Sequence, residues 1–325
     1  MKPSVKRGNV RVGLAGAGRI GEVHFASLLR DPRCGTVKVH DLDVSRATEL
    51  TVTAPDARAS VARSTVELFD DIDALVIASP TPTHLPLLRE AISRGVPTFC
   101  EKPVAMASAD VERVAAEAAA GGVAVQVGFH YRFDPALQEL AAEGWAGGRK
   151  MLRILSTTAF APTAEYLAGA GGLIADKLIH ELDLVRWMTG SQPRSVCALT
   201  ADEEAMTAAL VVTFEDGGIA TIWGGYESVA GFDLTVEKED ASGARVIGNR
   251  RPLSNKPLEV PVSTVTDFRE RFMDAYAIEI AAFLDVVAGE RENPCSLDEA
   301  VATQRLVDAC AESLITAQVV PVPNR

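Results

Sequence analysis

The chain has 325 residues, 47% of them hydrophobic and 23% charged, with a formal net charge of −12 at pH 7. This length predicts two domains, because a single hydrophobic core rarely serves more than about 250–300 residues. The acidic balance argues against nucleic acid or an anionic membrane as a partner. No stretch approaches the roughly 18 apolar residues of a membrane helix.

The five cysteines are scattered and never spaced as Cys-x-x-Cys. This pattern is typical of reduced thiols in a cytoplasmic protein, and it predicts neither a disulfide framework nor a metal site. The basic residues Lys2, Lys6 and Arg7 resemble the start of a secretory leader, but Arg11 interrupts the apolar run that follows. We therefore favour a strand there.

A strand, a glycine-rich turn, a helix, a second strand and an acid follow one another early in the chain. The predicted strands cover 9–15 and 36–40, and the predicted helix covers 22–30. The turn between them has the sequence Gly16-Ala17-Gly18-Arg19-Ile20-Gly21, and the acid is Asp41. A dinucleotide site needs this order, because the glycines allow a tight turn, backbone approach to the pyrophosphate and close helix packing. Free N–H groups at the helix start then bind phosphate, and the acid binds the ribose.

The cofactor predicted from this motif is NAD. Asp41 would repel the phosphate of NADP and accept hydrogen bonds from the ribose of NAD. Arg46 could accommodate that phosphate, so NADP stays open.

Strand and helix patterns alternate through the first 130 residues, which predicts a doubly wound parallel sheet. Two loops follow predicted strands of this sheet, Ser79-Pro80-Thr81-Pro82-Thr83-His84 and Glu101-Lys102-Pro103. Ligands of such sheets bind beyond the carboxyl ends of the strands. Pro103 restricts Lys102 to an extended backbone, which would direct its side chain over the crevice. A solvated surface lysine fits the position equally well.

The pattern changes after Asp134. A strand is predicted over 153–158. Four closely spaced strands, over 195–200, 207–214, 218–224 and 232–237, are joined by short turns, which predicts an α+β domain with a large open, mostly antiparallel sheet. A helix is predicted from 173 to 188, and two more cover 268–288 and 297–316.

Asp176 and His180 are four residues apart on the first of these helices, and hence on one face. A carboxylate beside an imidazole raises its basicity, as a general base near neutral pH requires. A helix whose polar face happens to hold both residues is an equally good interpretation. A metal site is less favoured, because no second histidine or cysteine stands at ligand spacing.

Taken together, these motifs resemble the Gfo/Idh/MocA family of nicotinamide-dependent sugar and cyclitol oxidoreductases, and inositol 2-dehydrogenases most of all. The resemblance extends over nearly the whole chain and includes two further motifs. They are Gly128-Phe129-His130-Tyr131-Arg132-Phe133-Asp134 and Trp187-Met188-Thr189-Gly190.

The resemblance implies a Rossmann domain over 1–130, a substrate and oligomerisation domain over 131–296, and a helix and tail over 297–325 that pack back on the first domain. It implies a homodimer or homotetramer formed through the second sheet. It assigns catalysis to Lys102, Asp176 and His180, with the histidine as proton acceptor. Further cofactor contacts are implied for Ser79, Pro80, Thr81, His84, Glu101 and Lys102, and further substrate contacts for His130 and Tyr131.

Three residues depart from the family pattern. Glu181 stands where relatives often have aspartate, Tyr131 where inositol dehydrogenases tend to have a basic residue, and Lys177 where a small or apolar residue is usual.

The sequence thus predicts an NAD(P)-dependent dehydrogenase of a secondary alcohol in a cyclitol or sugar. Lys102 and His180 are expected to converge over the nicotinamide. The alternatives are a keto-sugar or diketone reductase on the same scaffold, a non-catalytic NAD-binding regulator and, less favoured, an NAD-dependent glycosidase.

Overall fold

The computed structural model describes residues 10–55, 58–200, 205–228, 233–248 and 268–324. The chain forms two compact units: Met1–His130 with Met273–Val301, and Tyr131–Phe272 with Ala302–Arg325. The chain passes from the first unit to the second after His130, and Ala302–Arg325 belong to the second, whose sheet gains a strand from the end of the chain. The domain bounds 1–130, 131–296 and 297–325 stay a prediction. None of the described helices is both long and apolar enough to cross a membrane.

The first unit is built on a six-stranded sheet in the order β3-β2-β1-β4-β5-β6, with all neighbours parallel. Its strands are β1 (Val10–Ala15), β2 (Cys34–His40), β3 (Ala59–Val61), β4 (Ala74–Ile77), β5 (Thr98–Glu101) and β6 (Val125–Gly128). The connecting helices are α1 (Arg19–Arg30), α2 (Val44–Thr51), α3 (Thr65–Phe69), α4 (His84–Ser93) and α5 (Ser108–Gly121). This confirms the predicted doubly wound sheet, whose strand order reverses between β1 and β4.

The core of this unit explains why its strands appear in the sequence as apolar runs. Every residue of β4 is buried, as expected for a parallel strand covered on both faces. Val12, Val39 and Phe99 share one apolar cluster with Phe25 of α1 and Phe283 of the long helix α9 (Phe268–Ala288). Burial of this apolar surface is the main force that holds helices to the sheet.

The second unit contains a seven-stranded sheet in the order β12-β11-β7-β10-β9-β8-β13. Its strands are β7 (Met151–Thr157), β8 (Pro193–Leu199), β9 (Thr207–Phe214), β10 (Ile219–Gly225), β11 (Asp233–Asp240), β12 (Gly243–Ile247) and β13 (Val320–Pro321). Only β7 and β10 are parallel among the described neighbours. The predicted open, mostly antiparallel sheet is therefore confirmed. Phe232, the predicted start of one strand, lies outside the described residues.

Four further helices follow the first unit's boundary at His130, and one of them, α8, carries His180. They are α6 (Pro135–Ala142), α7 (Ala164–Ala170), α8 (Ile179–Thr189) and α10 (Leu297–Thr316). The continuous α-helix predicted over 173–188 is corrected, since Ile174–Leu178 form a π-helical turn that leads into α8. Such turns occur often at functional sites, because they change the direction of the side chains.

A buried ion pair fixes α8 to the segment that opens the second unit. Arg132 donates through Nε to Oδ2 of Asp183 at 2.7 Å and through Nη2 to Oδ1 at 2.6 Å. The two side chains are only 6% and 1% exposed. Thr303 on α10 donates to Asp183 at 3.1 Å and accepts from Arg186 at 2.9 Å. The bidentate geometry and these extra hydrogen bonds offset the cost of burying charge.

We expect Asp183→Asn to lower the free energy of unfolding by about 3–5 kcal/mol, because it leaves Arg132 buried without its anion. Arg89→Met is the control, since Arg89 and Glu117 form an exposed pair at 3.0 Å. That change should cost less than about 1 kcal/mol. Urea denaturation followed by circular dichroism measures both, and equal losses would contradict the assignment.

Candidate active site

The glycine turn after β1 has the geometry of a phosphate-binding turn. Gly16 has φ +103°, and a Cβ there would lie 2.6 Å from the carbonyl oxygen of Ala78. A Cβ on Gly21 would lie 2.2 Å from the carbonyl oxygen of Gly16. By contrast, a Cβ on Gly18 would meet nothing within 4 Å. The turn thus needs glycine at 16 and 21 for its own packing, whereas Gly18 borders open space.

The surroundings of this space fit a dinucleotide. Gly18 is the N-cap residue of α1, which begins with Arg19 and Ile20. Since glycine has no side chain, Gly18 makes no side-chain hydrogen bond to the first N–H groups of the helix. Its N–H groups and helix dipole suit a pyrophosphate. Asp41, directly after β2, accepts N–H bonds from Ala17 at 2.8 Å and from Asp43 at 2.9 Å. The carboxylate is thereby fixed beside the turn, where a ribose would be bound.

Arg46, the residue that left NADP open, lies on α2. Its guanidinium is 61% exposed and lies 3.6 Å from the carboxylate of Asp43. It therefore already has an acidic neighbour.

The loop after β4 is held by its own side chains. The hydroxyls of Ser79 and Thr83 are 2.6 Å apart, and Pro80 and Thr81 lie between them. His84 is buried, with Nε2 2.7 Å from the carbonyl oxygen of Ser79 and Nδ1 2.9 Å from that of Pro103. Burial lowers the pKa of His84, although both carbonyl contacts act to raise it. This imidazole joins the loops after β4 and β5, and its contact with a cofactor stays a prediction.

The loop after β5 carries Lys102. The preceding Glu101 is buried, with Oε1 2.6 Å from Nε2 of His24 and Oε2 accepting the Lys102 N–H at 3.2 Å. The backbone of Lys102 is thus fixed at the carboxyl end of the sheet, where ligands of this fold bind. In the same unit His130 is buried and stacks on Tyr276 at 4.6 Å between ring centroids.

In the second unit, two tyrosines hold Asp176. Tyr166 donates to Oδ1 at 3.1 Å and Tyr226 to Oδ2 at 2.7 Å. Burial, followed by the charge of Asp176, raises the pKa of Tyr226, so its hydroxyl stays a donor. Tyr226 also lines a mainly apolar cavity of about 350 Å³. The other lining residues are Leu167, Gly171, Gly172, Leu173, Ala205 and Met206.

His180 is the second residue of α8, two positions after the last residue of the π-helical turn, and is half-buried. The ring of Tyr131 lies 5.2 Å from its imidazole, tilted by 39°. The three residues that depart from the family pattern are neighbours here, because Tyr131 and Lys177 both approach Glu181. Among the described residues, no group of three or more histidines, cysteines or acids is arranged to hold a metal ion.

Comparison with known proteins decides the family. Residues 10–129 match the NAD-binding Rossmann-fold domain of the Gfo/Idh/MocA oxidoreductase family. Residues 151–322 match the C-terminal alpha/beta domain of the same family. The chain belongs to this family. It is an NAD-dependent oxidoreductase, as the glycine turn and Asp41 predicted.

Several relatives are similar over nearly their whole length. The chain is 31% identical to inositol 2-dehydrogenase of Rhizobium meliloti (strain 1021), over 94% of this chain and 97% of the relative. It is 33% identical to inositol 2-dehydrogenase of Acidothermus cellulolyticus, over 94% and 93%. The crystal structure of a myo-inositol dehydrogenase from Corynebacterium glutamicum superposes with a TM-score of 0.85 at 29% identity, covering 98% and 100%.

Sequence reasoning missed the partners of the predicted site residues. His24 is 77 positions from Glu101, and Tyr226 is 50 from Asp176. No motif spacing connects such pairs, so only the folded chain reveals them.

We expect Gly18→Ala to weaken NAD binding at least about tenfold while the apoprotein keeps its stability, because the new methyl group enters space that the pyrophosphate needs. Gly21→Ala is the matched comparison, since its Cβ would clash with backbone and destabilise the apoprotein. Calorimetric titration with NAD and thermal unfolding of the apoprotein measure the two effects. Unchanged NAD affinity in Gly18→Ala would exclude this turn as the phosphate site.

Proposed function

We propose that this oxidoreductase oxidises a ring hydroxyl of a cyclitol of the inositol class. The observation that supports this most strongly is the similarity to two inositol 2-dehydrogenases at 31% and 33% identity over 94% of the chain. The retained set Lys102, Asp176 and His180 supports it further, because a binding protein without catalysis has no use for a proton acceptor. A neutral polyol also suits an acidic protein, since its binding requires no electrostatic steering.

In the proposed reaction each of the three residues has one task. The Lys102 ammonium donates a hydrogen bond to the reacting hydroxyl oxygen, and His180 accepts the hydroxyl proton. Asp176, held by two tyrosine hydroxyls, favours the protonated imidazole electrostatically. NAD, when bound, supplies the hydride acceptor. The protein contributes orientation of the substrate carbon and exclusion of water.

We expect Lys102→Met to lower turnover of myo-inositol or scyllo-inositol at least about a hundredfold, because the hydroxyl loses its donor as it ionises. His180→Gln should do the same through loss of the proton acceptor. NAD affinity should change little in either variant. Lys38→Met, the same replacement on β2, is the control for Lys102→Met.

The assay follows NADH absorbance with each inositol, and the reverse reaction with the matching inosose. Turnover near that of the unmodified protein in Lys102→Met or His180→Gln would remove that residue from the mechanism. Reaction with neither polyol nor ketone would reject the cyclitol assignment.

We propose that the protein works in the cytoplasm with all thiols reduced. The five cysteines are free. Burial raises the pKa of Cys34 to about 12 and that of Cys100 well above its ordinary value, so these thiols stay protonated and inert.

We propose that the open face of the second sheet forms a homo-oligomer with a second copy of this chain. Along β9 and β10 the residues alternate between buried and exposed, so one face is covered and the other is open. The open face carries large apolar side chains on several strands. They are Leu199, Val211, Ile219, Trp223 and Val246, which are 58, 41, 42, 51 and 59% exposed. Grouped apolar residues of this kind on a sheet favour an interface.

We expect Trp223→Lys to shift the protein toward the monomer, because Trp223 lies on β10, the central strand of the seven, and the charge would be buried against the partner. Val52→Lys is the control, an exposed apolar residue outside the sheet. Size-exclusion chromatography with light scattering gives the mass of each. An unchanged oligomer in Trp223→Lys would exclude this face.

A further inference from the structure

A buried polar cluster lies beside the candidate proton acceptor. Tyr131 is 4% exposed, and its hydroxyl donates to Oε1 of Glu181 at 3.1 Å. Nζ of Lys177 lies 3.9 Å from the same oxygen and donates to the hydroxyl of the fully buried Ser156. Glu181 directly follows His180 along the chain and is 0% exposed. The cluster of Tyr131, Lys177, Glu181 and Ser156 thus surrounds the start of α8.

The charges of this cluster compensate each other. A buried carboxylate is costly unless a cation and hydrogen bonds satisfy it, and Lys177 and Tyr131 supply one of each. Both approach Oε1, while Oε2 of Glu181 has no hydrogen-bond partner among the described residues. The carboxylate is therefore fixed from the side that faces Tyr131.

One hydrogen bond and two ring contacts hold the Tyr131 side chain. This ring packs between two others, at 5.2 Å from the His180 imidazole and at 5.0 Å from Phe272. The tilts are 39° and 45°, so neither contact is a parallel stack that would fix the ring by itself. Anchoring the hydroxyl on Glu181 restricts the ring to one orientation, and the ring in turn limits the positions open to the imidazole.

We propose that Glu181, paired with Lys177, is a positioning residue for His180 and acts through Tyr131. This inference rests on the proposed function, in which His180 accepts the hydroxyl proton. Glu181 itself contacts neither substrate nor cofactor in this role. Proton transfer depends steeply on the placement of the acceptor, so a displaced imidazole slows the chemical step more than it weakens binding.

Two variants separate this role from a general loss of structure. Tyr131→Phe keeps the ring and both charges and removes only the hydroxyl. Glu181→Leu combined with Lys177→Met removes the acceptor and both charges together, so no buried charge is left unpaired. Trp145→Phe is the control, because it removes a different hydrogen bond to α8, the one from Trp145 Nε1 to the carbonyl oxygen of Met188 at 2.9 Å.

We expect Tyr131→Phe and Glu181→Leu/Lys177→Met each to lower kcat about tenfold, with the KM for NAD unchanged. The variant that combines all three substitutions should have a kcat no lower than that of either, because Tyr131, Glu181 and Lys177 affect His180 through the same contacts. The primary isotope effect on kcat, measured with an inositol deuterated at the reacting carbon, should rise in all of them. It should stay constant in Trp145→Phe.

A kcat and isotope effect in Tyr131→Phe like those of the unmodified protein would overturn the proposal. So would a loss of about a hundredfold in the triple variant, since additive effects mean separate paths. An equal loss in Trp145→Phe would also overturn it, because any weakening of α8 would then suffice.

A second measurement does not require turnover. The imidazole signals of the apoprotein are recorded by ¹H–¹⁵N NMR, and those of His180 are assigned from their disappearance in His180→Gln. They should shift in Tyr131→Phe and stay in place in Trp145→Phe, and unshifted signals in Tyr131→Phe overturn the proposal. If no inositol is oxidised, the proposed function fails while this measurement still decides the positioning. If inositol is oxidised and Tyr131→Phe is unaffected, only the positioning fails.

Discussion

The structure of the second unit depends on the helix α8, which places two acidic side chains, Glu181 and Asp183, in the buried interior. Asp183 is held there by the forked guanidinium of Arg132, and Glu181 by Tyr131, the residue just before that arginine. Two consecutive side chains of one segment thus bind two acids spaced two apart. Because burial without partners would be very costly for either acid, α8 has one stable register against this segment. The position of His180, near the start of the same helix, is therefore set by these two contacts.

Most of the architecture could be predicted because it is written in local patterns. Fully buried parallel strands such as β4 appear as unbroken apolar runs, and half-buried strands such as β9 alternate. The glycines at 16, 18 and 21 were readable for a related reason. Two of them avoid a backbone clash and the third leaves space for a ligand, so each follows from short-range sterics. The candidate catalytic residues came from spacing and family resemblance together.

What could not be predicted depends on contacts between distant parts of the chain. The parallel pairing of β7 with β10 joins strands more than 60 residues apart, and no local pattern records it. The π-helical turn at Ile174–Leu178 was not predicted, because the pattern of apolar residues does not distinguish it from an α-helix. The contacts of Tyr226 with Asp176 and of His24 with Glu101 likewise join elements far apart in the chain. Motif spacing and resemblance thus suggested the candidate residues, whereas the side chains that contact them were known only from the folded chain.

Asp41 carries a consequence for altering coenzyme preference. Both of its carboxylate oxygens are engaged by backbone, one by Ala17 inside the glycine turn and one by Asp43. Replacing Asp41 with a neutral or basic residue, so that the 2′-phosphate of NADP can bind, also removes the acceptor of the Ala17 N–H and so weakens the glycine turn. Selectivity and loop rigidity are therefore coupled at one side chain. Redesign of the pocket would have to provide a substitute acceptor for the Ala17 amide before the charge is changed.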